Sequence, residues 1–264
     1  MNILFIGDIV GSPGRQAIKE LLPVLKKEYS LNLTIANAEN AAGGSGITPA
    51  VAQELFDAGV DALTSGDHIW KNKGIFEIID KEERILRPVN FPLGVPGRGW
   101  AVFKTRDNIK IGVINVQGRV FMEAIECPFR TSRQAQEALS KETNIIIVDI
   151  HAEATSEKVA LGWYLDGKVS AVLGTHTHIQ TADERILPGG CAYITDVGMT
   201  GPFDSVIGRR VEDVLARFIT CVPIRFEVAK ENVQLQGVVL DIDEHTGKAR
   251  SVTRIQRKIN DEIS

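Results

Sequence analysis

An α/β fold is predicted by three features of the sequence. Short apolar runs at residues 2–7, 33–36, 60–65, 144–150 and 169–173 lack the polar alternation of one-sided strands and suit a sheet covered on both faces. Helical stretches separate several of them, opened by Ser12-Pro13, Thr48-Pro49 and Thr155-Ser156, the residue types that cap helix N-termini. The runs also end on ligand-type side chains: Asp8, then Glu39 and Asn40, then Asp67 and His68, then His151, and last His176 and His178. In open α/β sheets, ligands bind at the carboxyl ends of the strands.

Composition narrows the class. A chain of 264 residues can bury one large core, and with no linker in view residues 1–264 are expected to form a single domain. A formal net charge of -4 offers no basic field for duplex nucleic acid, so any phosphate must be held locally. The first apolar run meets Asp8 too early for a signal peptide or a membrane span, so a cytoplasmic protein with no membrane partner is expected. Cys127, Cys191 and Cys221 have no C-x-x-C spacing, and neither a disulfide framework nor a thiolate metal site is suggested.

The first strand, 2–7, leads to a helix capped by Ser12 and running to about Lys27. The second, Leu33 to Ala36, enters Asn37-Ala38-Glu39-Asn40 and a glycine-rich loop, 41–46. That loop lacks the G-K-[ST] ending of a P-loop and the G-x-G-x-x-G of a dinucleotide site, so it is a weak phosphate signature. Thr48 caps a helix to about Ala58, and a strand over Val60–Ser65 reaches Gly66-Asp67-His68. Residues 71–83 read as helix, and 87–97, rich in Pro and Gly, as an extended loop framing the site. Trp100 to Lys104 and Lys110 to Val116 form a hairpin around Asp107-Asn108, 117–130 is surface loop, and 131–141 is helical. The strand 144–150 delivers His151, and Thr155 or Ser156 caps a helix to about Leu165. The run Val169 to Leu173 delivers Gly174-Thr175-His176-Thr177-His178, and strands near 191–195, 222–229, 233–240 and 249–256 complete the chain. His245 falls in the turn between the last two and is expected to be solvated.

Asp8, Glu39, Asn40, Asp67, His151, His176 and His178 exceed the needs of one ion, and their mixture of carboxylate, amide and imidazole suits Mn, Fe or Zn better than Ca or Mg. Two ions sharing a carboxylate can trap a hydroxide and polarise a phosphoryl oxygen for in-line displacement. His68, beside Asp67, is then placed to protonate the leaving alkoxide. Glu153 is a candidate outer partner for a ligand histidine, and Trp70 and Phe121 are the aromatics that could stack on a base. Single polar residues at strand ends usually close turns, but four of the five histidines at such ends, each with acids nearby, are better explained as a site.

Gly7-Asp8, Gly66-Asp67-His68 and Gly174-Thr175-His176-Thr177-His178 resemble the motifs of the calcineurin-like metallophosphoesterases. The longer blocks Gly7 to Arg15, Asn37 to Ala42, His151 to Glu157 and Thr175 to Asp183 are similar to the bacterial YmdB-type group, and the resemblance covers essentially the whole chain. It implies a four-layer αββα sandwich and a pair of divalent or mixed-valence transition metal ions, iron or manganese first and zinc next. It also implies hydrolysis of phosphodiesters, 2',3'-cyclic nucleotides foremost, with RNA as a further partner and a homo-oligomeric assembly. By that pattern Asp8, Glu39, Asn40 and His178 hold one ion, Glu39, Asp67, His151 and His176 the other, and His68 is the proton donor.

The family places Asn where this chain has Asp67. Two divalent ions, one hydroxide and the carboxylates of Asp8, Glu39 and Asp67 make a neutral centre, where Asn would leave it positive, so the anionic substrate is attracted less. Two other readings use the same residues: a regulatory protein that holds a nucleotide or RNA with little turnover, and a binuclear hydrolase of another ester or amide class.

Overall fold

The computed structural model describes residues 1–259. The chain opens with β1 (Asn2–Ile6), the two-residue β2 (Asp8–Ile9), α1 (Gly11–Glu28), β3 (Leu31–Asn37), α2 (Pro49–Asp57) and β4 (Ala62–Thr64). A hairpin of β5 (Trp100–Lys104) and β6 (Lys110–Gln117) follows, then α3 (Pro128–Leu139), β7 (Ile146–His151), α4 (Thr155–Leu165) and β8 (Ala171–Thr175). The remainder is β9 (Arg185–Ile186), β10 (Ala192–Ile194), β11 (Met199–Pro202), α5 (Val211–Thr220), β12 (Val233–Ile242) and β13 (Ala249–Lys258).

The strands make two sheets. One has the order β2-β11-β12-β1-β3-β4 with β13 also on β12, the other β5-β6-β7-β8-β10-β9. Alternation along the buried strands explains why they lie face to face. Ile3 and Phe5 of β1, Ile35 of β3, Val113 of β6, Ile147 of β7 and Leu173 of β8 share one core between the sheets. Leu4 and Ile6 turn instead toward Ile18 and Leu22 of α1 and Leu55 of α2. On the far side, Ile114, Val148 and Val172 pack on Leu139 of α3 and Leu161 of α4. The result is the expected four-layer αββα arrangement, each sheet apolar on both faces because each is covered twice.

The parallel strands β1, β3 and β4 of one sheet and β6, β7 and β8 of the other bring their carboxyl ends to the site. In the second sheet the register sets Gln117, His151 and Thr175 in one row and Asn115 beside Asp149 one pleat earlier. Period two then points Asp149 and His151 to the same face, between the sheets.

Several local expectations are corrected. Residues 71–83 contain only a 3-10 helix, Lys73–Glu77, followed by turns. The Asn72 side chain accepts from Gly74 N–H, and Gly74 with β-branched Ile75, Ile78 and Ile79 gives a regular helix little support. Helix α1 starts at Gly11 with Val10 in the cap position, because Val10 and Gly11 N–H are bonded to Thr200 and Asn40 carbonyls; Ser12 is not the cap. Helix α4 likewise begins at Thr155 after Ala154, without a side-chain cap. Residues 222–229 form no strand beyond one bridge, Arg209 to Val228, and Pro223 removes a ladder donor there. Helix α5 and the short strands β2, β9 and β11 are additional to the elements expected from the sequence. Among the described residues no helix is long and apolar enough to cross a membrane. Cys191 is buried, Cys127 half-buried and Cys221 exposed, all as free thiols. His245 is exposed in its turn.

Candidate metal centre

All seven expected ligands and His68 meet where the two sheets present their carboxyl ends. Ligand atoms of Glu39, Asp67, His151 and His176 lie within 4.8 Å of one another. His151 Nε2 is 3.1 Å from Glu39 Oε2 and 3.4 Å from Asp67 Oδ1, and His176 Nδ1 is 2.9 Å from His151 Nε2. Beside this group, His178 Nε2 stands 3.9 Å from Asp8 Oδ1 and 3.2 Å from Asn40 Nδ2. Asn40 thus turns its amide nitrogen to the cluster, and its Oδ1 accepts from His68 Nδ1 at 2.9 Å.

The backbone is shaped for this convergence. His176 and His178 have φ of 104° and 65°, left-handed conformations that cost non-glycine residues about 1–3 kcal/mol each and cluster at functional sites. Thr177 between them faces the other way, where its N–H and Oγ1 both bond Asp196 Oδ2 at 3.1 and 2.7 Å. The same oxygen takes Lys158 Nζ at 2.8 Å in a fully buried ion pair. Gly66 lets the strand end pass against the centre, since a Cβ there would strike the His151 ring and the Glu39 carboxylate.

Each histidine has an outer partner that fixes its ring, the arrangement usual around metal-binding imidazoles. His151 Nδ1 donates to Thr175 Oγ1 at 2.9 Å, and Thr175 donates on to Asp149 Oδ1 at 2.7 Å. Asn37 Nδ2 donates to the other Asp149 oxygen at 3.0 Å. This buried relay leaves His151 Nε2 for the cluster. His178 Nδ1 donates to the Ile207 carbonyl at 2.9 Å, and Glu153 Oε2 lies 3.3 Å from His176 Nε2. Glu153 therefore occupies the outer position expected of it. Asp149, Asn37, Asp196 and Lys158 add to the site residues that the sequence motifs mark. Asp149 carried a usable signal, a lone carboxylate two residues before His151 in an apolar strand.

The charges are unbalanced in a way that calls for cations. Burial pushes the Asp8 carboxyl up. Burial acts on Glu39 in the same sense, but His151 and His68 outweigh it and hold that carboxyl well below the usual range. Burial, then repulsion from His151, lowers His176 to about 4, and burial raises Asp149 to about 6. Asp8 Oδ1 and Asp67 Oδ1 are buried without a hydrogen-bond donor, a costly state for carboxylate oxygens. Three carboxylates among imidazoles, two of them with an orphaned oxygen, fit transition metal ions by donor type and by charge.

The centre opens into a cavity of about 670 Å³, a size ordinary for small-molecule sites. Its inner end holds Glu39, Asn40, His68, His176 and His178, and its outer end is walled by residues from the 206–226 segment. The glycine-rich loop does not cradle an anion. Its Gly43 and Gly44 carbonyls accept from Arg209, whose guanidinium fills the space a Cβ on Gly44 would need. The 87–97 loop does not frame this cavity either. It lines a separate surface depression, and Arg87 folds it on itself by donating to the Pro88, Val95 and Pro96 carbonyls. Trp70 is an anchor, stacked on Phe76 at 5.2 Å and meeting Phe91 edge-on at 5.6 Å, and exposed Phe121 is not part of the cavity wall.

Comparison with known proteins gives the family and the fold. Residues 4–255 match the family model described as YmdB-like protein. The chain is 51% identical over 262 residues to the 2',3'-cyclic-nucleotide 2'-phosphodiesterase of Bacillus subtilis, covering 99% of this chain and 98% of that one. A crystal structure of a hypothetical protein from Thermus thermophilus superposes with a TM-score of 0.90 at 40% identity, over 98% of this chain and 99% of the other. A phosphatase from Mycoplasma pneumoniae gives 0.92 at 36%, over 99% and 95%. The calcineurin-like phosphoesterase YfkN of Bacillus subtilis, at 11% identity and a TM-score of 0.62 over 100% and 92%, shares the fold.

Proposed function

Since the chain belongs to the YmdB-like family and has the calcineurin-like phosphoesterase fold, we propose that it is a metal-dependent phosphodiesterase acting on 2',3'-cyclic nucleotides. The observation that carries this reading is the convergence of Glu39, Asp67, His151 and His176, with the orphaned oxygens of Asp67 and neighbouring Asp8, at the end of a cavity that also holds His68. Asp8, Glu39 and His178 would hold one ion, joined by Asn40 through its oxygen once the side-chain amide is reversed from the orientation seen here, and Glu39, Asp67, His151 and His176 would hold the second, with Glu39 shared. Iron and manganese are the first choices and zinc the next. Bound ions of this kind supply charge for the phosphoryl oxygens and a lowered pKa for water.

The chain's own residues do the rest. The relay from Asp149 through Thr175 holds the His151 ring, and Ile207 and Glu153 do the same for His178 and His176. His68 is kept in place by its Nδ1 bond to Asn40, and its Nε2, 3.6 Å from Asp67 Oδ2, can give a proton to a leaving ribose oxygen in the cavity. Without bound ions the three carboxylates would repel an anionic diester.

The test is turnover of 2',3'-cyclic AMP with metal content measured on the same preparation. About two ions per chain are expected, and His68→Ala is expected to keep them while kcat falls by about 10²- to 10⁴-fold. Hydrolysis that persists undiminished in the metal-free protein would refute the reading.

A further inference from the structure

The outer end of the cavity has a different chemistry from the inner end. Its wall is formed by Val206, Ile207, Val214, Phe218 and Phe226, with Arg217 at the rim. No Ser, Asn, Gln or Asp side chain of that wall is available to read hydrogen-bonding edges. Phe218 of α5 is 77% exposed, a large apolar surface that the core does not explain. Neither Phe218 nor Phe226 pairs with another aromatic ring among the described residues, whereas Trp70 is already stacked. Arg209 is committed to the Gly43 and Gly44 carbonyls, but the Arg217 guanidinium has no ion pair or side-chain hydrogen bond among the described residues.

We propose that this outer end is a nucleobase subsite: Phe218 and Phe226 take the flat face of a base while the phosphodiester lies at the carboxylate and histidine end. The inference rests on the phosphodiesterase reading and adds how the base is accommodated. The wall offers π-faces and aliphatic surface, which every base can use, and Arg217 can lie over a base from the rim. The subsite therefore favours a substrate bearing a base over one without, and discriminates little among the four bases. Purines gain slightly from their larger stacking area.

The experiment compares the manganese-loaded protein with Phe218→Ala, Phe226→Ala and the double variant. Substrates are 2',3'-cyclic AMP, 2',3'-cyclic UMP and the base-free glycerol 1,2-cyclic phosphate. Calorimetric binding of adenosine 3'-monophosphate is measured in parallel. In the double variant KM for both nucleotides is expected to rise by about 5- to 150-fold, the worth of one base–aromatic stack. Its kcat, and both constants for the glycerol diester, stay as in the parent. Phe218→Leu, which keeps apolar bulk without a π-face, should recover only part of the loss. An unchanged KM for the nucleotides, or an equal change for the glycerol diester, overturns the subsite. If the parent hydrolyses none of the three, the phosphodiesterase reading fails by itself. Calorimetry still decides the subsite, which requires weaker adenosine 3'-monophosphate binding in the double variant and is overturned by equal binding.

Discussion

Carboxylates at the two ends of this molecule have opposite surroundings. On the β12–β13 hairpin, Asp241 and Asp243 face Arg250 at 3.4 and 2.6 Å, and Arg257 reaches across to Glu28 of α1 at 2.7 Å. At the carboxyl ends of the sheets, Asp8, Glu39 and Asp67 face one another and histidines, and two of their buried oxygens have no donor. The hairpin satisfies its charges within the chain and gains order. The site leaves its charges unsatisfied, a state tolerated when an external cation completes the set. The fold around the cluster supplies the compensation, through two apolar sheet faces and the buried Lys158–Asp196 pair.

The contrast breaks most sharply when the shared acid is removed. Glu39→Gln, which keeps the shape and deletes the charge, is expected to empty both positions and lower turnover by at least about 10³-fold, given the several kcal/mol that bound ions contribute. Elemental analysis alongside kinetics checks it. Two retained ions would show that the carboxylates do not need Glu39 to be balanced.

A smaller effect is expected one layer out. Thr175→Val removes the link between His151 and Asp149 at nearly constant volume. Metal affinity should weaken by about 10- to 100-fold, as for other outer partners of ligand histidines. Stability should fall by about 1–3 kcal/mol because a buried acceptor loses its donor. Manganese titration by calorimetry and urea unfolding of the metal-free protein measure the two separately, and Thr175→Ser should restore both.

Smaller again is the change at Asp67, the carboxylate that would bring the loaded centre to neutrality. Asp67→Asn makes the loaded centre more positive, and KM for a cyclic nucleotide should drop by roughly fivefold, the weakest effect of one charge at about 4 Å in a water-like medium. Metal affinity should fall in the same variant. Unchanged KM and metal content would mean that Asp67 and Asn are equivalent there.

Much of this was legible because the signals were local. Apolar runs ending in Asp8, Glu39, Asp67, His151 and the His176-Thr177-His178 triplet specify both the sheets and their functional edge, since parallel strands buried on both faces are mostly apolar and gather their polar groups toward the carboxyl ends. The relay through Thr175 depends on the register that sets His151 beside Thr175, a pairing between distant segments that no local pattern states. The cavity wall is a different omission. Val211, Val214, Leu215, Phe218 and Ile219 fall at helical spacing and mark α5, but the place of Val214 and Phe218 in the cavity wall depends on the irregular 203–210 loop. The 71–83 stretch went the other way, its helical composition overridden by the Asn72 side chain and Gly74.

The smallest effect should appear at the satisfied end. Asp243 Oδ1 accepts from His245 and Thr246 N–H at 3.0 and 2.9 Å, and Oδ2 takes Arg250 Nη2 at 2.6 Å. These bonds, the Thr246 N–H first and then Arg250, hold the Asp243 carboxyl well below its ordinary value. A carboxyl whose folded pKa is depressed stabilises the fold fully above its unfolded pKa of about 3.9, and the contribution fades as pH falls toward the folded value. Asp243→Asn should therefore melt slightly below the parent from neutral pH down to about pH 4, and the two curves should converge in more acidic buffer. Turnover should be unaffected, because the hairpin turn lies outside the cavity wall. Scanning calorimetry of metal-free parent and variant across that range gives the answer. A gap that stays constant into acid would show that Asp243 acts through turn geometry, with its charge contributing nothing.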